Sequence, residues 1–308
     1  MTDTYLVTGG MGCLGAWTLY HLHRQGKRAV CFDLSDDRHR LDLLLTAEEQ
    51  AAITFVRGDL TDTRQVQAIF EQHAVTHVVH LAALQVPFCR ANPPVGAQVN
   101  VTGTVNVFEA ARCTGVRHLA LASSVAVYGP PDLYALELLP AAAPVAPRTL
   151  YGVYKVANEM TAQVYWHDYA ISSTVLRPYT VYGLGRDQGL TSEPTKAMQA
   201  AARGEEYAIN FGGVMQFHFA SDVARQFILA AEQPAGGALA FNLGGEPVAV
   251  AEVARLIMAA RPGVRITTTD TVLPFPAGCD GSALRAHAAA VYATPLAEGI
   301  ASTIDAFA

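Results

Sequence analysis

The sequence predicts an α/β protein: a doubly wound, mainly parallel sheet with a small C-terminal lobe interleaved into it. Three observations carry this reading. Short β-rich runs alternate with amphipathic stretches through the first half of the chain. Closely spaced glycines stand where the first strand hands over to the first helix. The alternation then breaks after Tyr182, where a glycine-bearing loop over 183–194 opens a segment of different rhythm.

Taken in order, the predicted strands cover residues 5–8, 29–33, 53–57, 77–81 and 118–123, with 173–177 and 241–243 following. Helical periodicity fills the intervals at 14–25, 63–72 and 99–114, the last with apolar residues at 101, 105, 107, 108, 110 and 111. A further helix is expected over 149–169. The proline- and alanine-rich stretch 130–147 reads as a loop. Beyond it, helices are expected at 195–203 and 249–260, the second stopped by Arg261, Pro262 and Gly263. The pattern divides the chain into a cofactor-binding unit, 1–178 with 217–244 returning to it, and a substrate lobe of 179–216 and 245–308.

Composition narrows the function. The 308 residues are 51% hydrophobic and 16% charged, as in a globular enzyme, and the net charge of −6 argues against a nucleic-acid partner. His77 and His80 interrupt the most apolar stretch, so no membrane span is expected. The start, with Thr2 and Asp3 after Met1, lacks the basic region of a signal peptide. Cys13, Cys31, Cys89, Cys113 and Cys279 are scattered and lack metal-ligand spacing, so reduced thiols, no metal and a cytoplasmic location are expected.

Gly9, Gly12 and Gly15, with Cys13 and Leu14 between the last two, form a turn between strand and helix that suits a dinucleotide pyrophosphate in a Rossmann-type unit. Asp33 ends the next strand, where a carboxylate accepts hydrogen bonds from the adenosine ribose and repels a 2′-phosphate. NAD is therefore expected over NADP. Arg38 and Arg40 just beyond leave room for dual specificity, but both are expected in solvent. Asp59 and Leu60 end the third strand and are placed at the adenine, although Asp59 also suits a cap of the next helix. Leu81, Ala82 and Ala83 stand at the end of the fourth strand, where the small alanines let the cofactor approach; His80 is read as structural.

Tyr151 and Lys155 are four positions apart and share a helix face, so both are expected to point into one cleft. A nearby ammonium favours tyrosinate and suits the phenol to proton transfer. Tyr154 faces elsewhere.

Together with the run from Ser123 through Tyr128 to Gly129, these motifs resemble the extended short-chain dehydrogenase/reductases, the NAD-dependent epimerase/dehydratase family. The resemblance covers nearly the whole chain, through Gly58 to Leu60, Asn100 to Asn106, Leu176 to Pro178, Ser221 to Ala224, Asn242 to Gly245 and Thr294 to Gly299. It implies a triad of Ser124, Tyr151 and Lys155, with Ser124 binding the reacting oxygen and Lys155 the nicotinamide ribose. It places Pro178 at the nicotinamide, makes Asn100 structural, and implies a homodimer through paired long helices.

Departures from the family pattern bear on the substrate. Val125 and Ala126 stand where dehydratase members carry two acids. Met215 stands where nucleotide-sugar members carry a diphosphate-gripping arginine, and Thr180 replaces a usual asparagine. A sugar diphosphate would leave two charges poorly paired. The expected reaction is therefore oxidation of a secondary alcohol or lactol of a small sugar, sugar acid or polyol-like molecule. Gln85, Ser124, Val125, Tyr179, Thr180 and Arg186 are the expected substrate contacts; Arg186 reads equally as a fork for a carboxylate or a solvated loop arginine, and Tyr179 equally as a pocket or a core residue. An epimerase that keeps its cofactor shares the triad and stands as the alternative; a non-catalytic NAD-sensing protein on the same fold is disfavoured by the intact triad.

Overall fold

The computed structural model describes residues 3–234 and 236–308; Met1 and Thr2, on which the reading of the chain start partly rests, lie outside the described residues. Its centre is a seven-stranded parallel sheet of β1 (Thr4–Thr8), β2 (Arg28–Asp33), β3 (Thr54–Arg57), β4 (His77–His80), β5 (His118–Ala122), β6 (Ser172–Arg177) and β7 (Ala238–Asn242). The spatial order is β7-β6-β5-β4-β1-β2-β3. The chain starts in the middle, builds outward to β3, then returns to add β4 on the other side of β1. This reversal opens a crevice at the C-terminal ends of β1 and β4, where Thr8 lies opposite His80.

Both faces of the sheet are covered, which explains why β1 and β6 are buried along their whole length. On one face lie α1 (Cys13–Arg24) and α6 (Ala220–Glu232), whose Leu19, Leu22, Phe227 and Ile228 share a core with Val7 and Val79. The other face carries α2 (Thr63–His73), α3 (Gly103–Thr114) and α4 (Leu150–Tyr169), with Phe70, Phe108 and Tyr165 packed over Leu6 and Leu119. A third core joins α5 (Glu193–Ala202), α7 (Val250–Ala260) and α8 (Leu296–Phe307) through Met198, Ile257 and Ile304. No helix among the described residues is long and apolar enough to cross a membrane.

Two segments depart from expectation. Residues 98–102 form a wider π turn before α3 begins at Gly103, rather than a continuous helix from 99. The wider turn aims Asn100 at Leu84, whose N–H donates to Oδ1 at 2.7 Å while Nδ2 donates to its carbonyl at 2.9 Å. Within the expected loop 130–147, Leu138–Leu139 pairs with Gly278–Cys279, and Leu139 is buried in the third core. A two-residue bridge has no periodicity to read. The helices α6 and α8 enter the sequence reading only as short motifs, because their apolar faces are recognisable only against the cores they fill.

Candidate active site

A cavity of about 670 Å³ opens where β1, β4, β5 and β6 end, which is where the strand order reverses. Its floor is the glycine turn. Gly9 adopts φ of +71°, and a Cβ there would lie 2.7 Å from the Ala82 backbone. A Cβ at Gly15 would lie 2.1 Å from the Gly9 carbonyl oxygen, so only glycine lets α1 start so close to the turn. No side chain caps the N-terminus of α1. Its first-turn N–H groups, with the positive end of the helix dipole, face the cavity beside Gly12, Cys13 and Leu14. Gly10 has no role in the sequence reading, yet a Cβ there would meet Cys31 Sγ at 2.3 Å.

Asp33 lies at the rim, its Oδ2 accepting the Met11 N–H at 3.0 Å and its Oδ1 that of Ser35 at 2.9 Å. Arg40 is not solvated as expected. Its side chain is 13% exposed; Nη1 donates to the Met11 carbonyl at 2.8 Å, and Nε and Nη2 donate to Asp187 at 3.0 and 2.7 Å. Arg38 is exposed as expected, and its guanidinium lies over the Phe55 ring, 3.8 Å from its centroid. Asp59 and Leu60 line the cavity, but the Asp59 carboxylate accepts from the Thr61 N–H and hydroxyl, both at 2.8 Å. Asp62, not Asp59, caps α2. Leu81, Ala82 and Ala83 form the opposite wall.

His80 is 4% exposed and structural. The Thr104 hydroxyl donates to the Asn100 carbonyl at 2.7 Å, so it accepts from His80 Nε2 at 3.0 Å; Nδ1 is left to accept from Thr8 at 2.7 Å. Burial, aided by the Lys155 charge, pushes this imidazole down to about 3.

The side of the cavity that carries the expected triad is built by the first turn of α4. Thr149 caps it by accepting the Gly152 N–H at 3.0 Å, an interaction of about 1 kcal/mol, and this sets Tyr151 at the second helical position. Tyr151 and Lys155 both line the cavity, as the four-residue spacing predicts, while Tyr154 turns away and donates to the Pro93 carbonyl at 2.9 Å. Lys155 is 3% exposed, donates to the Ala122 carbonyl at 2.6 Å, and lies 5.5 Å from the Tyr151 ring centre. Ser124 joins them, its Oγ accepting the Ala126 N–H at 3.1 Å.

The phenol is not poised low by its lysine. Burial pushes Tyr151 up to about 12, while the adjacent Ser124 hydroxyl and then the Arg186 charge draw it back. Burial also pulls the Lys155 ammonium down to about 8, against the opposing pull of Cys89 and Glu159.

On the substrate side, Gln85, Val125, Pro178, Tyr179 and Arg186 all line the cavity. Gln85 Oε1 and Arg186 Nε are buried without partners. Tyr179 offers little polarity, since its hydroxyl donates to the Pro276 carbonyl at 2.5 Å. Its N–H donates to His218 Nδ1 at 3.0 Å, and His218 Nε2 meets the Gly244 carbonyl, so both ring nitrogens are held by backbone. Thr180 is a correction: it is fully buried away from the cavity and donates to Met215 Sδ at 3.1 Å. The alternation of a strand turns Thr180 inward once Tyr179 faces the cavity. Leu190, Thr191 and Phe275 also line the cavity and left no sequence signal.

The sequence profile of the NAD dependent epimerase/dehydratase family matches residues 5–244. The chain belongs to this family. Among its relatives, a UDP-glucose 4-epimerase of Mycolicibacterium smegmatis is 32% identical over 247 residues, which is 78% of this chain and 76% of that protein. The UDP-glucose 4-epimerase of Thermus thermophilus, solved in complex with NAD, superposes with a TM-score of 0.83 at 26% identity, covering 99% of this chain and 98% of the other. A partial-consensus L-threonine 3-dehydrogenase shares the fold, with a TM-score of 0.85 at 22% identity and 98% coverage of both chains.

As a member of the NAD-dependent epimerase/dehydratase family, the protein is an NAD-dependent enzyme. The residues present fit that cofactor. The glycine turn, where a Cβ at Gly9 or Gly15 would run into backbone, keeps the uncapped start of α1 at the cavity with N–H groups available to an anion, and Asp33 is oriented at the rim by two backbone donors, where it would accept from a ribose hydroxyl.

Proposed function

We propose that the protein is a dehydrogenase that oxidises a secondary alcohol of a small sugar acid or polyol-like substrate and releases NADH. The observation that carries this reading is the charge inventory of the cavity. Three cations line it, Arg40, Lys155 and Arg186. Arg40 is paired with Asp187 and rests on the Met11 carbonyl, while Lys155 stands beside Tyr151 with one N–H given to the Ala122 carbonyl. Arg186 has no carboxylate partner: it is near enough to Tyr151 to act on its charge, its Nη2 donates to Thr191 Oγ1 at 3.4 Å and its Nε is unpartnered. One guanidinium suits a single carboxylate. Met215, at the position where nucleotide-sugar members carry a diphosphate-binding arginine, is 2% exposed in the core of the lobe.

In this reading Gly9, Gly12, Cys13, Leu14 and Gly15 hold the pyrophosphate, Asp33 the adenosine ribose, and Asp59, Leu60, Leu81, Ala82 and Ala83 the adenine-side walls. Lys155 reaches the nicotinamide ribose and Pro178 the nicotinamide. Bound NAD supplies the hydride acceptor. Ser124 and Tyr151 hold the substrate hydroxyl between them, and the Tyr151 phenolate takes its proton as the carbon–hydrogen bond breaks. Lys155 stabilises the phenolate, and Gln85 and Arg186 orient the rest of the molecule. The cofactor unit comprises 1–178 with 217–244, and 179–216 with 245–308 supply the lobe.

Two further features belong to this proposal. Leu150, Val153, Met160 and Val164 are 43–54% exposed along α4 and support a homodimer through that helix. Five unpaired cysteines support a reducing, cytoplasmic setting.

A second reading, an epimerase that retains NADH, is favoured by the likeness to UDP-glucose 4-epimerases. Absorbance at the NADH band decides between them, with NAD and a panel of sugars, sugar acids and nucleotide sugars. Multiple-turnover NADH formation with a small substrate supports the dehydrogenase. An isomer detected by NMR without NADH accumulation overturns it.

A further inference from the structure

The loop between Gly183 and Gly189 is tied at both ends of the cavity at once. Arg186 faces the catalytic side, whereas its neighbour Asp187 reaches 147 residues back in sequence to Arg40, bonding Nε at 3.0 Å and Nη2 at 2.7 Å. His39 adds a contact from Nε2 to Asp187 Oδ2 at 2.9 Å, and its Nδ1 meets Asp37 Oδ2 at 2.8 Å. Arg40 meanwhile rests on the glycine turn through the Met11 carbonyl, and Trp17 of α1 donates to the Leu184 carbonyl at 3.0 Å. Asp37, Arg40 and Asp187 all line the cavity, so this chain of contacts bridges its ribose-end rim.

We propose that Asp187 is a positioning residue for the cofactor: with Arg40 and His39 it straps the loop of the lobe to the glycine turn, and opening of this strap sets the rate at which NAD exchanges. Three features support it. The loop is bracketed by glycines in left-handed backbone, Gly183 at φ of +127° and Gly189 at +103°, with Gly185 at +83° between them, positions suited to a hinge. The strap is ionic and half-exposed, with Asp187 44% and His39 45% exposed, so it opens without disturbing a core. Its hydrogen bonds favour the charged forms of both His39 and Asp187, although the Arg40 charge opposes that of His39. Hydrogen bonding to Asp187 holds the His39 imidazole above its ordinary range against partial burial. Hydrogen bonds from His39 and Arg40 overcome the burial of Asp187 and hold its carboxyl below the usual range.

The strap also explains why Arg40 does not serve as a 2′-phosphate receptor despite lying near the ribose end. Its fork is filled by a carboxylate of the other lobe.

The test is stopped-flow displacement of NADH fluorescence from the holoenzyme by excess NAD. Asp187→Asn is expected to release NADH about tenfold faster than wild type, and Asp187→Glu close to the wild-type rate. Arg40→Met is expected to accelerate release similarly. In the double variant the two effects are expected not to add, because both break one strap. Added salt is expected to speed release from wild type but not from Asp187→Asn. Unchanged release from Asp187→Asn overturns the proposal, as does equal acceleration by Asn and Glu, additivity of the pair, or a lowered melting temperature with no change in release.

Discussion

Gly152 lies so close to Ala126 that a Cβ on the glycine would stand 2.1 Å from the alanine carbonyl oxygen. The absent side chain lets the first turn of α4 settle against the turn that carries Ser124, and so brings Tyr151 to it. Gly152→Ala is expected to push these two apart. A shift of about 1 Å in a catalytic group costs on the order of 100-fold in kcat/KM. Steady-state kinetics beside a melting curve checks this: activity falls much further than stability.

Tyr151→Phe is expected to lower kcat by roughly 10²- to 10⁴-fold while NAD affinity stays within a few-fold of wild type. Since burial pushes the phenol up to about 12 in the protein alone, alcohol oxidation is expected to rise with pH through the alkaline range. Lys155→Met removes the cation that favours phenolate and is expected to move that limb to higher pH. pH–rate profiles of the three proteins read both effects, and an identical limb in Tyr151→Phe would refute the assignment.

Glu159, one turn beyond Lys155, takes Arg177 Nε at 2.8 Å and Nη2 at 2.5 Å, and also accepts the Ser123 hydroxyl at 2.5 Å. One buried carboxylate thus joins the neighbours of Ser124, Lys155 and Pro178. Glu159→Gln leaves the Arg177 charge buried without its counter-ion and is expected to cost about 3–5 kcal/mol in urea unfolding. The double variant with Arg177→Met is expected to recover part of that loss.

His80 and His218 are held down to about 3 and about 4, both chiefly by burial. Unfolded histidine takes a proton near 6.5, so below that pH the unfolded chain binds more protons than the folded one. Stability is therefore full above about 6.5 and falls as pH drops toward 4, by roughly 2 kcal/mol per histidine at pH 5. His80→Gln is expected to flatten the dependence between pH 7 and 5, measured by denaturant titration; an unaltered slope would count against it.

Arg186→Met is expected to raise KM for carboxylate-bearing substrates by about 10- to 100-fold and for neutral polyols only slightly, because a charged hydrogen bond is lost only with the former. Equal effects on both classes would remove the basis for an acidic substrate.

Much of this molecule is legible along the chain because the relevant physics is local. The seven strands, the glycine turn with Asp33 after it, and the pairing of Tyr151 with Lys155 follow from short β-rich runs, turn sterics and helix periodicity, each set within a few residues. The resemblance to a family adds Ser124 and Pro178, which no spacing rule joins to Tyr151. What only the tertiary structure decided are the meetings between distant polar groups and the burial around them. Arg40 reads as solvated in the sequence because its partner Asp187 lies on another loop, and Thr180 reads as a substrate contact because strand orientation fixes its direction only after Tyr179 is placed. The phenol of Tyr151 stands high rather than low because desolvation outweighs the nearby charges, a balance that depends on every wall of the cavity. Periodicity and spacing are properties of a segment; desolvation and ion pairing are properties of an enclosure, and the enclosure exists only once the chain has closed.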